Sequence, residues 1–167
     1  LPKIFDQTLG IHDSKLLSPK IRERLSGIIK KRAIYCSIAE ISVEIINEEG
    51  IGKATQRAFK KALDGLPIIP HHILIDAYYI ENIEKQKQTP IIKGDQKSIS
   101  IAAASIIAKV YRDALMCSLH KLYANYGFFT NKGYGTKKHQ EAIKQFGLCP
   151  LHRSSFNLLK YTNPPKR

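Results

Sequence analysis

The 167-residue sequence has no tryptophan, one methionine and three cysteines. Cys36, Cys117 and Cys149 are an odd number at wide spacing, and no Cys-x-x-Cys occurs. That excludes a zinc ribbon and a disulfide framework, and a reducing, cytoplasmic compartment is expected. Long apolar runs are also missing. The longest, Ile99 to Val110, is interrupted by Ser100, Ser105 and Lys109 and is too short to span a bilayer. No signal-peptide pattern, internal repeat or low-complexity segment is visible. Acids are scarce: 14 Asp and Glu stand against 27 Lys and Arg, for a formal net charge of +13. Such a surface favours polyanions, and with no membrane segment nucleic acid comes before an anionic bilayer.

The remaining composition is that of a folded protein, 43% hydrophobic and 25% charged. The length suits one domain over residues 1–167, with residues 151–167 as a basic tail. A chain of this size buries roughly two-thirds of its unfolded surface, so it needs no disulfide or structural metal to fold. A monomer is expected.

Periodicity orders the chain. Ser18-Pro19 starts a helix, with Ser18 as N-cap and Pro19 at the first helical position; Ile21, Leu25, Ile28 and Ile29 share one face. Ile34–Ile46, rich in Ile and Val, reads as a strand, and Asn47–Gly50 as a turn. A second helix is expected over Gly52–Leu66. Pro70–Asp76 reads as a buried strand, Ile80–Thr89 as a polar connection, and Pro90–Lys93 as another strand. Ser98–Tyr123 is the longest expected helix, dense in Ala and Ile. A glycine-containing loop, Asn131–Gly135, leads to a helix near Lys137–Gln145. Strands alternating with helices argue an α/β fold, in which ligands bind at the C-terminal ends of strands.

Asp76 and Asp95 follow the apolar runs ILID and IIKGD. If the two strands are neighbours, the carboxylates converge at one sheet edge. Hard oxygen donors of this kind suit Mg²⁺ or Mn²⁺ rather than zinc. The plainer alternative is that each Asp caps a following turn. Lys93-Gly94-Asp95-Gln96-Lys97-Ser98 opens the long helix and resembles an anion-binding helix start, but its spacing is not that of a nucleotide-binding P-loop. Lys132-Gly133-Tyr134-Gly135-Thr136-Lys137-Lys138 combines flexibility, an aromatic ring and charge, which can stack on a base or sugar while lysines meet phosphates. From Asn131 to the end there are eight Lys or Arg and one acid, Glu141. Ser14 and Lys15, before the first helix, could contact phosphate. His139, and His152 beside Arg153, could touch substrate or simply be solvated. Ser105 has no local His partner, so no serine triad is supported.

Together these segments resemble the ribonuclease HII (type 2 ribonuclease H) family. The matching stretches are GIHDSKLLSPKIRE, ILIDA, IIKGDQKSISIAAASIIAKVYRD, YGFFTNKGYGTKKH and HRSSF, in the family's order from Gly10 to Phe156. The resemblance implies a ribonuclease H-like mixed sheet flanked by helices. It implies cleavage of the RNA strand of RNA–DNA hybrids, including ribonucleotides embedded in duplex DNA, by four acids holding two Mg²⁺ or Mn²⁺ ions. Asp76 and Asp95 match the third and fourth acids, and Tyr134 the tyrosine that stacks at the RNA–DNA junction. Ser14 and Lys15 lie in the family's Asp-Ser-Lys motif, and Lys93, Lys132, Lys137 and Arg153 complete the expected nucleic-acid contacts.

The family's Asp-Glu-x-Gly-Arg-Gly motif, which carries the first two acids, has no counterpart in this sequence, which begins Leu1-Pro2. Smaller departures are Ala77 for Gly, Leu16 for Lys and Asn131 for His. The expectation is therefore of a sheet incomplete at the N-terminus, a half-built metal site, and weak or no cleavage by this chain alone. The competing reading from a different class is a non-catalytic, metal-free module that binds RNA–DNA hybrid. A ribosomal-type RNA-binding protein ranks lower, because such proteins seldom need converging carboxylates.

Overall fold

The computed structural model describes residues 10–11, 14–153 and 158. The chain divides into two compact units, one of Leu1–Glu40 with Gln56–Tyr111, the other of Ile41–Thr55 with Arg112–Arg167.

In the first unit, helix α1 spans Pro19–Arg32, with Pro19 in its first turn and the Ser18 hydroxyl accepting from the Ile21 amide. Its last turn carries Lys30, Lys31 and Arg32, which complement the helix dipole. Its buried stripe is Arg22, Leu25, Ser26 and Ile29. Ile21, expected on that face, is 40% exposed, so the stripe is rotated by about one residue. Arg22 takes the vacated position because its guanidinium finds two carbonyls there, donating to Ser14 O at 3.1 Å and Leu17 O at 2.6 Å. Leu25 and Ile29 pack with Ile11, Leu17, Ala102, Ala103, Ile106 and Ile107. The alanines lie on helix α4, Ile99–His120, and their small side chains let other chain segments come close.

Strands β1, Ile73–Asp76, and β2, Gln88–Ile91, form a two-stranded parallel sheet with Asp76 opposite Ile91. Ile75 is buried, and among the described residues Pro90 lies on a strand paired on one side, a position that tolerates its missing N–H. Two glutamines clip the connection between the strands. Gln88 accepts from the Ile80 amide and donates to the Ile80 and Ile83 carbonyls. Gln56 donates to Tyr79 O and accepts from the Glu81 amide. A single helical turn α3, Gly94–Lys97, packs on both strands. The α/β class follows from these elements; among the described residues the sheet consists of two parallel strands.

Three expectations need correction. Ile34–Ile46 is not a strand among the described residues: it runs unpaired to Ser42, and from Val43 it is helical. β-branched side chains favour a strand only where a neighbour supplies hydrogen bonds and cover. Here Glu40 is held instead by the Lys61 ammonium on its carbonyl and the Tyr111 hydroxyl on its carboxylate. The turn at Asn47–Gly50 is a kink inside helix α2, Val43–Asp64, where Gly50 takes φ 82° and ψ 161°, open to glycine alone. Lys93–Ser98 does not open the long helix. Ser98 is extended (φ −131°, ψ 119°) between α3 and α4, so the expected anion-binding helix start reduces to one isolated turn.

The second unit has a separate core of Tyr126, Phe128, Ala142, Ile143 and Cys149, joined by Met116, Leu119, Tyr123 and Leu151. Short helix α5, Phe128–Asn131, leads through the glycine loop to α6, Lys137–Phe146, capped by the Thr136 hydroxyl on the His139 amide. His139 is buried and His152 half-buried. Their rings stack 5.3 Å apart, with Nε2 atoms at 3.4 Å. His139 Nδ1 donates to the Tyr126 carbonyl, and His152 Nδ1 accepts from the Cys149 amide. Burial holds the His152 pKa below its ordinary value of 6.5 and pushes the Cys149 thiol and Tyr126 phenol up.

Candidate metal site and nucleic-acid interface

In the first unit, β1 ends on Asp76, whose Oδ1 accepts from the Gly94 amide at 2.8 Å; Asp95 is the next residue. The Asp76 carboxylate, at the C-terminal end of β1, is thus tied to the residue that immediately precedes Asp95. A side chain at Gly94 would force the buried Ile101 side chain to shift. A Cβ at Gly94 would stand 2.5 Å from Ile101 Cδ1 and 3.4 Å from Asp76 Oδ1. On leaving β1 the chain turns through Ala77 in the left-handed region, φ 68°, with its amide donating to Ile91 O. That conformation is one that glycine adopts without strain.

Asp76 is exposed and Asp95 is buried. Lys15 reaches Asp95 Oδ2 with its ammonium at 3.4 Å, while most of its side chain stays in solvent. The turn bearing Lys15 is held by Arg22 from α1, and by a 2.8 Å hydroxyl pair between Ser14 and Ser105 of α4. Ser14 is buried in that pair, so its place is beneath Lys15 rather than open to a phosphate. Ser105, without a role in the sequence pattern, is its partner. Lys93 is exposed beside the acids, in the left-handed region with φ 56°.

The donor chemistry fits a hard divalent cation: two carboxylates, one already oriented by a backbone amide. Their number does not complete a two-ion site. Among the described residues no group of three or more His, Cys, Asp or Glu could hold a metal ion.

In the second unit, Tyr134 projects from the glycine loop and is 54% exposed. The loop is knotted by Asn131, which donates to Tyr126 O and accepts from the Gly133 amide, while its carbonyl accepts from the Tyr134 amide. Asn131 thereby fills the position where histidine is usual in the related pattern. The guanidinium of Arg112 lies over the Tyr134 ring, 4.9 Å from its centroid. Lys132, expected to face phosphate, folds back: its ammonium donates to Phe129 O and Cys117 Sγ, each at 2.6 Å. Lys137 is exposed at the start of α6, and Arg153 is half-buried. The sequence reading missed Arg22, Arg112 and Thr136. Thr136 was findable as a polar residue just before an amphipathic run; the two arginines act on distant partners, and no local pattern marks them.

The ribonuclease HII family matches residues 3–159 of this chain. The chain belongs to the ribonuclease HII family. It is 48% identical over 147 residues to a ribonuclease HII of Clostridioides difficile (strain 630), covering 88% of this chain and 57% of the relative. It is 51% identical over 147 residues to that of Ruminiclostridium cellulolyticum, with the same coverage of both chains. The chain therefore spans a little over half the length of these curated relatives. In fold it is similar to the crystal structure of the ribonuclease H2 from Pyrococcus horikoshii OT3, at a TM-score of 0.72 and 24% identity. That match covers 92% of this chain and 80% of the other. The family's ribonuclease H-like α/β fold accounts for the parallel strand pair with acids at its C-terminal end. No helix among the described residues is long and apolar enough to cross a membrane.

Proposed function

We propose that this chain carries part of a metal-dependent endoribonuclease that hydrolyses the RNA strand of RNA–DNA hybrids, including ribonucleotides embedded in duplex DNA. What supports this reading is the hydrogen bond from the Gly94 amide to Asp76, which ties that carboxylate to the neighbour of Asp95. The two carboxylates would hold Mg²⁺ or Mn²⁺. A divalent cation there lowers the pKa of water and offsets charge on the leaving 3′-oxygen, and two-metal catalysis would use a pair of such ions. The Gly94 amide keeps one Asp76 oxygen oriented. Lys15, hydrogen-bonded to Asp95 and mostly in solvent, offsets that acid's charge and would be available to a substrate phosphate. Lys93, Lys137 and Arg153 meet backbone phosphates, and Tyr134 offers a ring for stacking on a sugar or base. Lys132, with its ammonium engaged, supports the loop that carries that ring.

Two measurements test this. Manganese binding, followed by the paramagnetic signal of free Mn²⁺, should weaken at least about tenfold in Asp76→Asn and in Asp95→Asn. The chain should also bind a labelled RNA–DNA hybrid more tightly than single-stranded RNA of the same sequence. Because two carboxylates are fewer than a pair of ions needs, cleavage by the chain alone should be weak or absent, and Asp95→Asn should remove whatever cleavage there is. Unchanged manganese binding in both variants, together with hybrid preference, would leave the metal-free hybrid-binding module standing instead. Preference for single-stranded RNA would overturn both.

A further inference from the structure

Arg112 and Met116 lie one turn apart on α4, on the same face. The glycine loop rests on that face: a Cβ at Gly133 would stand 3.0 Å from Met116 Cε and 3.5 Å from Arg112 Nη2. Beyond Gly133, the Arg112 guanidinium covers one side of the Tyr134 ring at 4.9 Å from its centroid. Backbone bonds from Tyr134 N–H to Asn131 O and from Thr136 N–H to Tyr134 O, each 2.8 Å, fix the main chain on both sides of the ring. They do not fix the ring's own rotation. With half its surface in water, a tyrosine side chain has several staggered positions open to it. The stacked guanidinium favours one of them.

We infer that Arg112 is a positioning residue: its guanidinium, stacked over Tyr134, holds the half-exposed ring in place for contact with nucleic acid. The inference rests on the proposed role of Tyr134 as a nucleic-acid contact. Arginine suits the task because its planar group stacks on an aromatic face while keeping its charge. A lysine ammonium attracts the ring as a point charge but does not lie flat on it. A ring already held in place loses less rotamer freedom on binding, which raises affinity without adding a contact.

The sequence has no tryptophan, so Tyr134→Trp installs a single fluorescent reporter. In that background, Arg112→Ala should raise quenching of the reporter by acrylamide, and Arg112→Lys should do so less. In the otherwise native chain, Arg112→Ala should weaken binding of a labelled RNA–DNA hybrid about three- to tenfold. Arg112→Lys should recover part of the loss, and Arg112→Gln, of similar length and uncharged, should recover less. Two further readouts separate positioning from simple charge. In a Tyr134→Ala chain, the additional loss from Arg112→Ala should fall below about twofold. The dependence of affinity on salt should keep its slope, since no phosphate contact is removed. Equal losses from Arg112→Ala with and without Tyr134, with a salt slope smaller by about one, would make Arg112 a direct phosphate ligand and overturn the inference. Unaltered quenching would overturn it as well. If Tyr134→Ala itself leaves hybrid binding unchanged, the role of Tyr134 falls first and Arg112 loses its purpose. If Tyr134→Ala weakens binding and Arg112→Ala does not, only the inference about Arg112 falls. Circular dichroism melts of each variant check that folding is retained; Arg112→Lys and Arg112→Gln serve if Arg112→Ala does not fold.

Discussion

The two functional regions are built from different materials. In the first unit the acids are held by a backbone amide, a lysine and the close approach of a glycine, and Asp76 stays in solvent. In the second, the tyrosine loop hangs on an aromatic and histidine core, with Asn131 and Arg112 as its polar struts. Space and charge limit the first region, so a change of size damages it. A half-buried histidine, His152, with its pKa held below the ordinary value limits the second, so a gained proton damages it.

The strongest way to break this contrast is Gly94→Ala. The added methyl meets Ile101 and approaches the Asp76 carboxylate. It should cost about 2 kcal/mol of stability, as overpacking typically does. Manganese affinity should fall with it, while Tyr134→Trp fluorescence in the second unit keeps its native value. A loss of stability without a loss of manganese affinity would show that the close approach serves packing alone.

Acid should act on the other region. His152 is held below its ordinary pKa of 6.5, chiefly by burial, with the nearby His139 acting in the same direction. Its unfolded form therefore binds more protons than its folded form as pH falls through 6.5. The stability contributed by the neutral ring is complete above that value and is lost as pH falls below it toward the folded pKa. Among the described residues, Tyr126, His139 and Cys149 are the titratable groups in contact with the ring. Thermal midpoints measured from pH 7.5 down to 5 should fall, and His152→Gln should flatten the fall. An unchanged pH slope in His152→Gln would assign the acid response to another group.

The smallest effect sharpens the first region again. Ala77 occupies left-handed backbone at φ 68°. Ala77→Gly should relieve that strain, partly offset by the greater freedom of glycine in the unfolded chain, for a net gain of about 0.5–1 kcal/mol. Chemical denaturation measures it; a loss of stability would mean that the alanine methyl contributes more by packing than the backbone loses by strain.

Local chemistry made much of this legible. Ser18-Pro19 announced α1, the apolar run ending in Asp76 announced β1, and Lys137 onward announced α6. The failures lie where a partner decides. Ile34–Ile46 has strand composition, but a strand exists only when another segment supplies its hydrogen bonds, and α2 claims its last residues. His139 and His152 looked solvated because nothing near either in sequence reveals a ring stacked against it. Lys132 carried the expected charge, yet its ammonium turned inward to a carbonyl and a sulfur.

By itself, the order of residues determined the strong positive charge, the two acids behind apolar runs, the tyrosine between glycines, and through its motifs the family. Tertiary structure alone decided that Asp76 shares an amide with the neighbour of Asp95, that Ser14 is sealed against Ser105, and that Arg112 covers Tyr134. The physical reason is range. Charge, period and capping act within a few residues of chain, whereas a hydrogen bond or a stacked ring forms between atoms that only folding brings within 5 Å.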